Sequence, residues 1–423
     1  MAPVISVEQH RDRILAAVGV GPVVDVPVTA AHGCVLARDV TALVPLPGFD
    51  NSAMDGYVVR SADVAGLPIA AGPHLDEGGE GAPLRLPVSG DIAAGDRRRL
   101  RLEPGRAYRI MTGAPLPADG EVVVPVELTD GGEQVVTLYA SQEAGRHIRR
   151  AGEDVRTGDV VLRAGALLGA RQLAIAAAVG LATLPVHRRP RVVCLSTGDE
   201  LVPPGAVPAF GQVVDSNGLM LAAALQEAGF DARAGAVVRD TPEAVLGALR
   251  EHLQEADAII TTGGVSMGAY DAVKAALSSL GTVQFDRVAM QPGKPQGFGT
   301  LGERQVPVFT LPGNPVSALV SLEVFVVPAL RQLAGAGAAP VAARRARVVD
   351  GWPSPEGRTQ FVRVLLDEQA GEPTMRSAGG QGSHVLQALA DADALAVVPA
   401  DVTRVEPGDV LDYRPFAGRG WGR

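Results

Sequence analysis

From residue 191 onward the sequence repeats one pattern, and that pattern restricts the fold more than any other feature. Short apolar runs at 192–195, near 234–238, at 257–262 and at 306–311 alternate with helical patterns at 217–228, from 241, at 271–279 and at 316–330. A short apolar run bounded by turns reads as a strand buried on both faces, and helices between such strands carry the chain to a parallel neighbour. The helix signals agree. Gly229 closes the first helix, and Thr241-Pro242-Glu243 puts a capping hydroxyl before a proline at the first helical position. The segment is expected to be an α/β domain with a largely parallel sheet.

In such a sheet ligands sit beyond the carboxyl ends of the strands. The unusual residues fall there: Leu195-Ser196-Thr197-Gly198-Asp199-Glu200-Leu201, then Thr261-Thr262-Gly263-Gly264-Val265-Ser266-Met267-Gly268, then Leu311-Pro312-Gly313-Asn314-Pro315-Val316-Ser317. Glycine permits close backbone approach, and the N–H groups of such loops attract phosphate. One such loop reads equally well as a simple turn; three at equivalent strand ends read as an anion cradle. Asp199, Glu200, Asp240 and Asp271 lie near these loops. Carboxylates beside a phosphate suit a bridging Mg²⁺; each also suits a helix start. Lys294, in Gln291-Pro292-Gly293-Lys294-Pro295, is a natural oxyanion partner on a stiff turn. Arg146, Arg149 and Arg150 beside Glu153 and Asp154 form either a second anion clamp or a solvated charged face.

The remaining sequence adds three further regions. Ser6 and Gln9 form a capping box for a helix over 6–18. Residues 49–140 hold short Val- and Leu-rich runs between turn residues, the pattern of a small β-rich domain inserted into the first one. The run 167–179 reads as a buried helix. Residues 334–340 form a linker, and strand-like runs at 346–349, 361–366, 394–398 and 410–413 suggest a small β-barrel or sandwich. The boundaries are 1–48 with 141–187 for an elongated first domain, 49–140 for the insertion, 188–335 for the α/β domain and 336–423 for the last.

Composition excludes several classes. The net charge of −9 argues against general affinity for nucleic acid or an anionic membrane. Two cysteines far apart, Cys34 and Cys194, give no disulfide framework and no zinc pattern; they fit a reducing cytoplasm as small buried hydrophobes. The N-terminus lacks a signal-peptide core, and no stretch of about 20 apolar residues is free of charge, Gly and Pro, so no membrane span is expected. HExxH and Walker signatures are missing.

The segment Pro47-Gly48-Phe49-Asp50-Asn51-Ser52-Ala53-Met54-Asp55-Gly56-Tyr57 resembles the hallmark of the molybdopterin molybdenumtransferase family, that of MoeA and the C-terminal region of gephyrin. Arg109-Ile110-Met111-Thr112-Gly113-Ala114, Gly152-Glu153-Asp154 and the three glycine loops follow in family order, so the resemblance covers essentially the whole chain. The central block alone is shared with molybdopterin adenylyltransferases and competence-damage proteins; residues 47–57 separate the chain from both.

The resemblance implies a multidomain α/β fold. Its central parallel-sheet domain is of molybdopterin-binding type, with an inserted β-rich domain and a C-terminal small β-barrel. It implies a homodimer whose cleft joins the α/β domain of one subunit to the β-rich domain of the other. The implied substrates are adenylylated molybdopterin and molybdate, with Mg²⁺ assisting release of AMP. The adenylyltransferase that supplies the substrate and apo-molybdoenzymes that accept the product are the implied partners. By motif, Asp55, Thr112, Glu200, Asp240, Asp271 and Lys294 form the catalytic set, with Glu200 and Asp271 as metal contacts. Thr197, Gly198, Ser216, Gly263, Gly264, Ser266, Pro295, Pro312, Gly313, Asn314, Ser317, Arg358 and Ser383 form the substrate-binding set, with Arg363 competing for the role of Arg358. Two departures stand out: Gln291 replaces a lysine of many relatives, and Ala269 replaces a frequent acid, while Arg287 stands where some carry another lysine. Gephyrin also clusters a membrane receptor, so a non-catalytic scaffold is the alternative reading; an amidase or pyrophosphatase of competence-damage type lacks support in residues 47–57.

Overall fold

The computed structural model of the protein describes residues 4–70, 82–265, 272–337, 344–368 and 371–416. Ser266 and Asp271 lie outside the described residues.

The central sheet has seven strands. Asp231–Ala234, Arg191–Ser196, Ala258–Thr262 and Val306–Leu311 run parallel in that spatial order. Two strands that the alternating pattern did not announce extend it. Pro295–Leu301 pairs antiparallel with Val306–Leu311, and Val283–Val288 pairs antiparallel with Pro295–Leu301. Val4–Ile5 then adds a parallel edge. The sheet is therefore mixed. Proline and glycine hid the Pro295–Leu301 strand, and the packing explains them. A Cβ on Gly297 would meet the Phe285 ring at 2.8 Å, and one on Gly299 would meet the Thr282 carbonyl at 2.2 Å. The strand expected near 234–238 lies earlier, at Asp231–Ala234. It is the sheet edge, and it alternates exposed Asp231 and Arg233 with buried Ala232, so it lacks the continuous apolar signature of its neighbours.

Helices cover both faces. Thr241 Oγ1 accepts from the Ala244 amide and caps Pro242–His252. The helix Val7–Ala17 opens with the Ser6–Gln9 capping box and contributes Val7 and Ile14 to the main core. A continuous helical stretch, Pro315–Leu333, runs beneath the sheet with a π-turn at Leu322–Val326. Pro328 lacks an amide to complete regular α-bonding there, which a widened turn accommodates. By length and composition this stretch could cross a membrane, yet 72% of it is buried inside the protein, as expected of a core helix.

Three smaller bodies surround this domain. Val23–Pro27, Thr183–His187 and Val35–Leu36 form one sheet, with the helix Ala170–Ala178 against it. That helix is only half-buried, and Leu167 is 63% exposed, because it lies on the outer surface of a small body and not in a large core. A five-stranded sheet comprises Val135–Leu138, Leu84–Ile92, Ala107–Ile110, Gly56–Val59 and Val122–Pro125. Buried Tyr57 anchors it by donating to the Gly132 carbonyl at 3.0 Å. In the last region Thr359–Asp367, Thr374–Ser377, Arg344–Val348, Val410–Pro415 and Ala394–Val398 close on themselves as a five-stranded barrel. Met290–Gln291 pairs with Thr359–Gln360 and docks the 291–295 turn on that barrel.

Asp257 ties the first body to the central sheet. Its carboxylate accepts from both terminal nitrogens of Arg188 at 2.7 and 2.9 Å, from the Arg191 amide at 2.9 Å and from Arg304 Nη2 at 2.9 Å. Burial alone would raise its pKa; the bonds from Arg188 and Arg191, with their charges, outweigh burial and hold it below the ordinary range. Asp257→Asn should lower stability by about 2 kcal/mol, less than a fully buried pair because the arginines remain partly solvated. A depressed folded pKa means that the contribution is present at neutral pH and is lost as pH falls below the unfolded value of about 3.9. Urea unfolding across acid pH should show the wild-type advantage shrinking towards zero; a difference that does not vary with pH would refute this role.

Candidate functional site

The three glycine loops meet at one edge of the sheet. The Thr197 amide and hydroxyl both donate to the Thr262 carbonyl, at 2.9 and 3.1 Å. Gly263 follows at φ +91, and a Cβ there would meet the Thr197 carbonyl oxygen at 2.7 Å. A Cβ on Gly313 would in turn lie 3.4 Å from the Gly263 Cα. Gly264, at φ +68, continues the left-handed turn. The loops thus stack backbone on backbone, leaving no room for a side chain at 263. Gly198, at φ +154, lies beneath the Glu200 carboxylate, whose oxygens would sit 2.5 and 2.7 Å from a Cβ at 198.

Asp215 and Asn217 brace this arrangement, and the sequence reading passed over both. Asp215 Oδ1 accepts from Ser196 Oγ at 2.8 Å and from the amides of Asn217 and Gly218 at 3.0 and 3.3 Å, capping the helix Asn217–Glu227. Asn217 Nδ2 donates to the Gly313 carbonyl at 2.7 Å, while its buried Oδ1 has no partner. The signal was present: an Asp just before a helix start is a ready cap. Ser216 makes no side-chain cap bond and instead lines a cavity of about 470 Å³ between the Asn217–Glu227 helix and the barrel.

Among the acids, Asp199 Oδ1 accepts from the Asp240 amide at 3.3 Å and lies 3.7 Å from Arg239 Nε. The Glu200 carboxylate has no hydrogen-bond or ion-pair partner among the described residues, while its main-chain carbonyl accepts from the Val213 amide at 2.8 Å. Among those residues no three His, Cys, Asp or Glu side chains form a ready metal cage.

The positive side of the site is assembled from two domains. Lys294 on the docked turn has its pKa pushed down by the charge of Arg287, then by burial, then by the charge of Arg358 from the barrel. Strand register brings the three together: Arg287 stands opposite Pro295, the Val288 amide donates to the Lys294 carbonyl at 2.8 Å, and Thr359, next to Arg358, pairs with Met290. Pro295 opens the next strand, and Gln296 Nε2 fixes the turn by donating to the Gly293 carbonyl at 2.6 Å. Arg363 is set apart by depth: it is 1% exposed and its guanidinium bonds to main-chain carbonyls. Of the two arginines, Arg358 is the more exposed. Ser383 receives a bond from Asn314 Nδ2 at 3.0 Å, which joins the barrel to the third loop behind Pro312. Ser317 is buried in the helix that follows, and its carbonyl accepts from Ser321 Oγ at 2.7 Å.

Asp55 and Thr112 sit on the inserted sheet. The Thr112 amide and hydroxyl both donate to Asp55 Oδ1, at 2.6 and 2.8 Å, and those bonds hold the carboxyl below its ordinary range. Both residues are exposed, and no described hydrogen bond joins them to the glycine loops. Within the nearby basic cluster, Arg150 Nη1 donates to Asp50 Oδ2 at 2.6 Å, and its amide donates to Glu153 at 2.7 Å. Arg150 therefore braces the hallmark loop, which takes it out of the suggested second anion clamp.

A mixed-sheet α/β domain with stacked glycine loops, extended by a barrel that brings in Arg358, has the architecture of a molybdopterin-binding-type protein. Three family profiles match in order: the MoeA N-terminal region (domain I and II) over residues 5–180, a probable molybdopterin binding domain over 193–332, and the MoeA C-terminal region (domain IV) over 345–416. Molybdopterin molybdenumtransferase 2 of Mycobacterium tuberculosis is 45% identical over 96% of this chain and 98% of its own length. Molybdopterin molybdenumtransferase 1 of that organism is 40% identical over 98% and 100%. The crystal structure of a molybdopterin biosynthesis MoeA protein from Pyrococcus horikoshii superposes with a TM-score of 0.80 at 29% identity, covering 99% of this chain and all of that one. The chain belongs to the MoeA family of molybdopterin molybdenumtransferases.

Proposed function

We propose that this chain inserts molybdenum into adenylylated molybdopterin with release of AMP, completing the molybdenum cofactor. The observation that carries this reading is the convergence of Lys294, Arg287 and Arg358 from two domains beside three stacked glycine loops. A molybdate dianion needs donors and local positive charge, which this corner supplies within a chain of net charge −9. The loops would hold a phosphate through amides other than those of Thr197, Gly198 and Gly263, which bond within the protein. Water then adds across the phosphoanhydride, the bond to the nucleotide breaks and AMP leaves. The dithiolene sulfurs replace oxygen ligands on molybdenum, and those oxygens depart as water.

Glu200 suits Mg²⁺, because its carboxylate lies over Gly198 without a protein partner among the described residues. A hard cation that keeps waters and phosphate oxygens needs few protein carboxylates. Glu200 and Asp271 would hold it, and Asp240 would orient water nearby. The cation supplies charge neutralisation at the phosphoanhydride. The remaining work falls to the chain: Asn314 and Ser383 fix the third loop, and Lys294 holds the oxyanion.

Asp55 and Thr112 serve the same reaction from the partner subunit of a homodimer. Their polar groups are pre-set on each other and point away from their own core. The enzyme would work in the cytoplasm, between the adenylyltransferase and the apo-molybdoenzymes; its two buried free thiols suit that setting.

Three outcomes are expected. Lys294→Ala should raise the molybdate concentration for half-maximal cofactor formation by about ten- to a hundredfold, as loss of a charge-assisted contact implies. An unchanged half-saturation would place the oxyanion elsewhere. Chelation with EDTA should stop AMP release, and Mg²⁺ should restore it; undiminished release would remove the metal from the mechanism. Mixing inactive Asp55→Asn and Glu200→Ala chains should recover about a quarter of wild-type activity, since half the dimers would then carry one intact site of two. No recovery after confirmed subunit exchange would rule out a site shared between subunits.

A further inference from the structure

We propose that Arg363 is the positioning residue that sets Ser383, and through it the third glycine loop, in the geometry that receives molybdate. This rests on reading Lys294, Arg358 and Ser383 as the oxyanion site. Ser383 is carried by Gly379-Gly380-Gln381-Gly382-Ser383. With glycine at three of the four positions before Ser383, the loop has little conformational preference of its own, and Gly379 sits at φ +126. An external clamp has to order it.

The strand Thr359–Asp367 provides one. From there Arg363 Nη1 donates to the carbonyls of Gly382 and Val385 at 3.2 and 3.0 Å, and Nη2 to that of Gly380 at 2.6 Å. Three carbonyls of one short loop thus face a single guanidinium. Gln381 completes the clamp: its Oε1 accepts from the Arg363 amide at 3.3 Å, and its Nε2 donates to Ser377 Oγ at 2.8 Å. No carboxylate takes part among the described bonds. Removing a guanidinium from water without a counter-ion is unfavourable, so the contacts it makes must compensate. A planar fork holds its donors at fixed, separated positions that match these carbonyls; an ammonium gathers its three donors at one point and matches them less well.

The other side of the loop meets the site. Ser383 Oγ accepts from Asn314 Nδ2 at 3.0 Å, and its carbonyl accepts from the Val316 amide at 3.2 Å. Val316 is the second residue of the helix beginning at Pro315, so its amide has no acceptor within the helix. A continuous path leads from the buried guanidinium through Ser383 to Asn314 and the helix start. Arg363 itself is too deep to touch substrate.

The test uses full-length Arg363→Met and Arg363→Lys proteins with three readouts. They are amide hydrogen exchange over 379–385, molybdate affinity by calorimetry, and cofactor formation against molybdate at fixed adenylylated molybdopterin. Arg363→Met should exchange faster in that loop while the barrel strands stay protected. It should bind molybdate about tenfold or more weakly, yet turn over within about threefold of wild type when molybdate saturates. Arg363→Lys should fall between, and it decides the matter if the methionine variant does not fold. Unchanged loop exchange and affinity in a folded variant would overturn the proposal, as would a fall in saturating turnover with unchanged half-saturation. If wild type binds molybdate and the variant binds it equally, the proposal alone fails. If wild type binds none, the oxyanion reading fails and takes the proposal with it.

Discussion

Everything at the site depends on the close approach of the Thr197 and Gly263 backbones. A Cβ at 263 would overlap the Thr197 carbonyl, and Gly313 packs against Gly263 from the other side. The three strand ends are therefore held as one layer by hydrogen bonds from Thr197 to Thr262 and from the Gly263 amide to the Leu311 carbonyl. Spreading that layer by one methyl group would separate the loop that carries Glu200 from the loop that Ser383 grips. The glycines chiefly make contact possible between loops, and the amides of Thr197, Gly198 and Gly263 are spent on bonds within the protein.

The second constraint is the seam between the α/β domain and the barrel. A short strand pairing, Met290–Gln291 with Thr359–Gln360, brings the Lys294 turn against the residues before Arg363. One edge of the barrel therefore positions both halves of the cationic corner. Arg358 sits at the turn entering the strand Thr359–Asp367, and Arg363 sits four residues into it. Alternation along a strand sends neighbours to opposite faces. Here Arg358 stays partly exposed at the turn, while Arg363 is buried in the strand and faces carbonyls.

Much of this was legible in the sequence because its signals were local. The apolar runs at 192–195, 257–262 and 306–311 became strands, and the caps at Ser6 and Thr241 formed as their side chains dictate. What escaped was non-local. Pro295–Leu301 looks nothing like a strand until the Phe285 ring is seen against Gly297. Asp231–Ala234 alternates because it is an edge. Asp215 and Asn217 gain meaning only from Ser196 and Gly313, far away in sequence. The paired motif residues Asp55 and Thr112 were named in advance, but their mutual hydrogen bonds follow from strand register, with Gly56 opposite Ile110.

The charge distribution argues that the cationic corner is built for a ligand. Several arginines of the protein are neutralised within reach: Arg188 and Arg304 on Asp257, Arg109 on Asp91, Arg347 on Glu372. At Lys294 the surrounding charges that shift its titration are both positive. Like charges gathered at one corner repel, and in water at physiological salt that repulsion decays over only about 8 Å. A fold gains nothing from such a cluster on its own account. On the proposed function, a dianion entering there would relieve the repulsion, and the free energy that the empty site forgoes in stability would return as affinity. The same reasoning explains why Gln291 is tolerable in place of a lysine: with Arg287 and Arg358 already beside Lys294, a fourth cation would add repulsion to the empty site as well as attraction to the filled one.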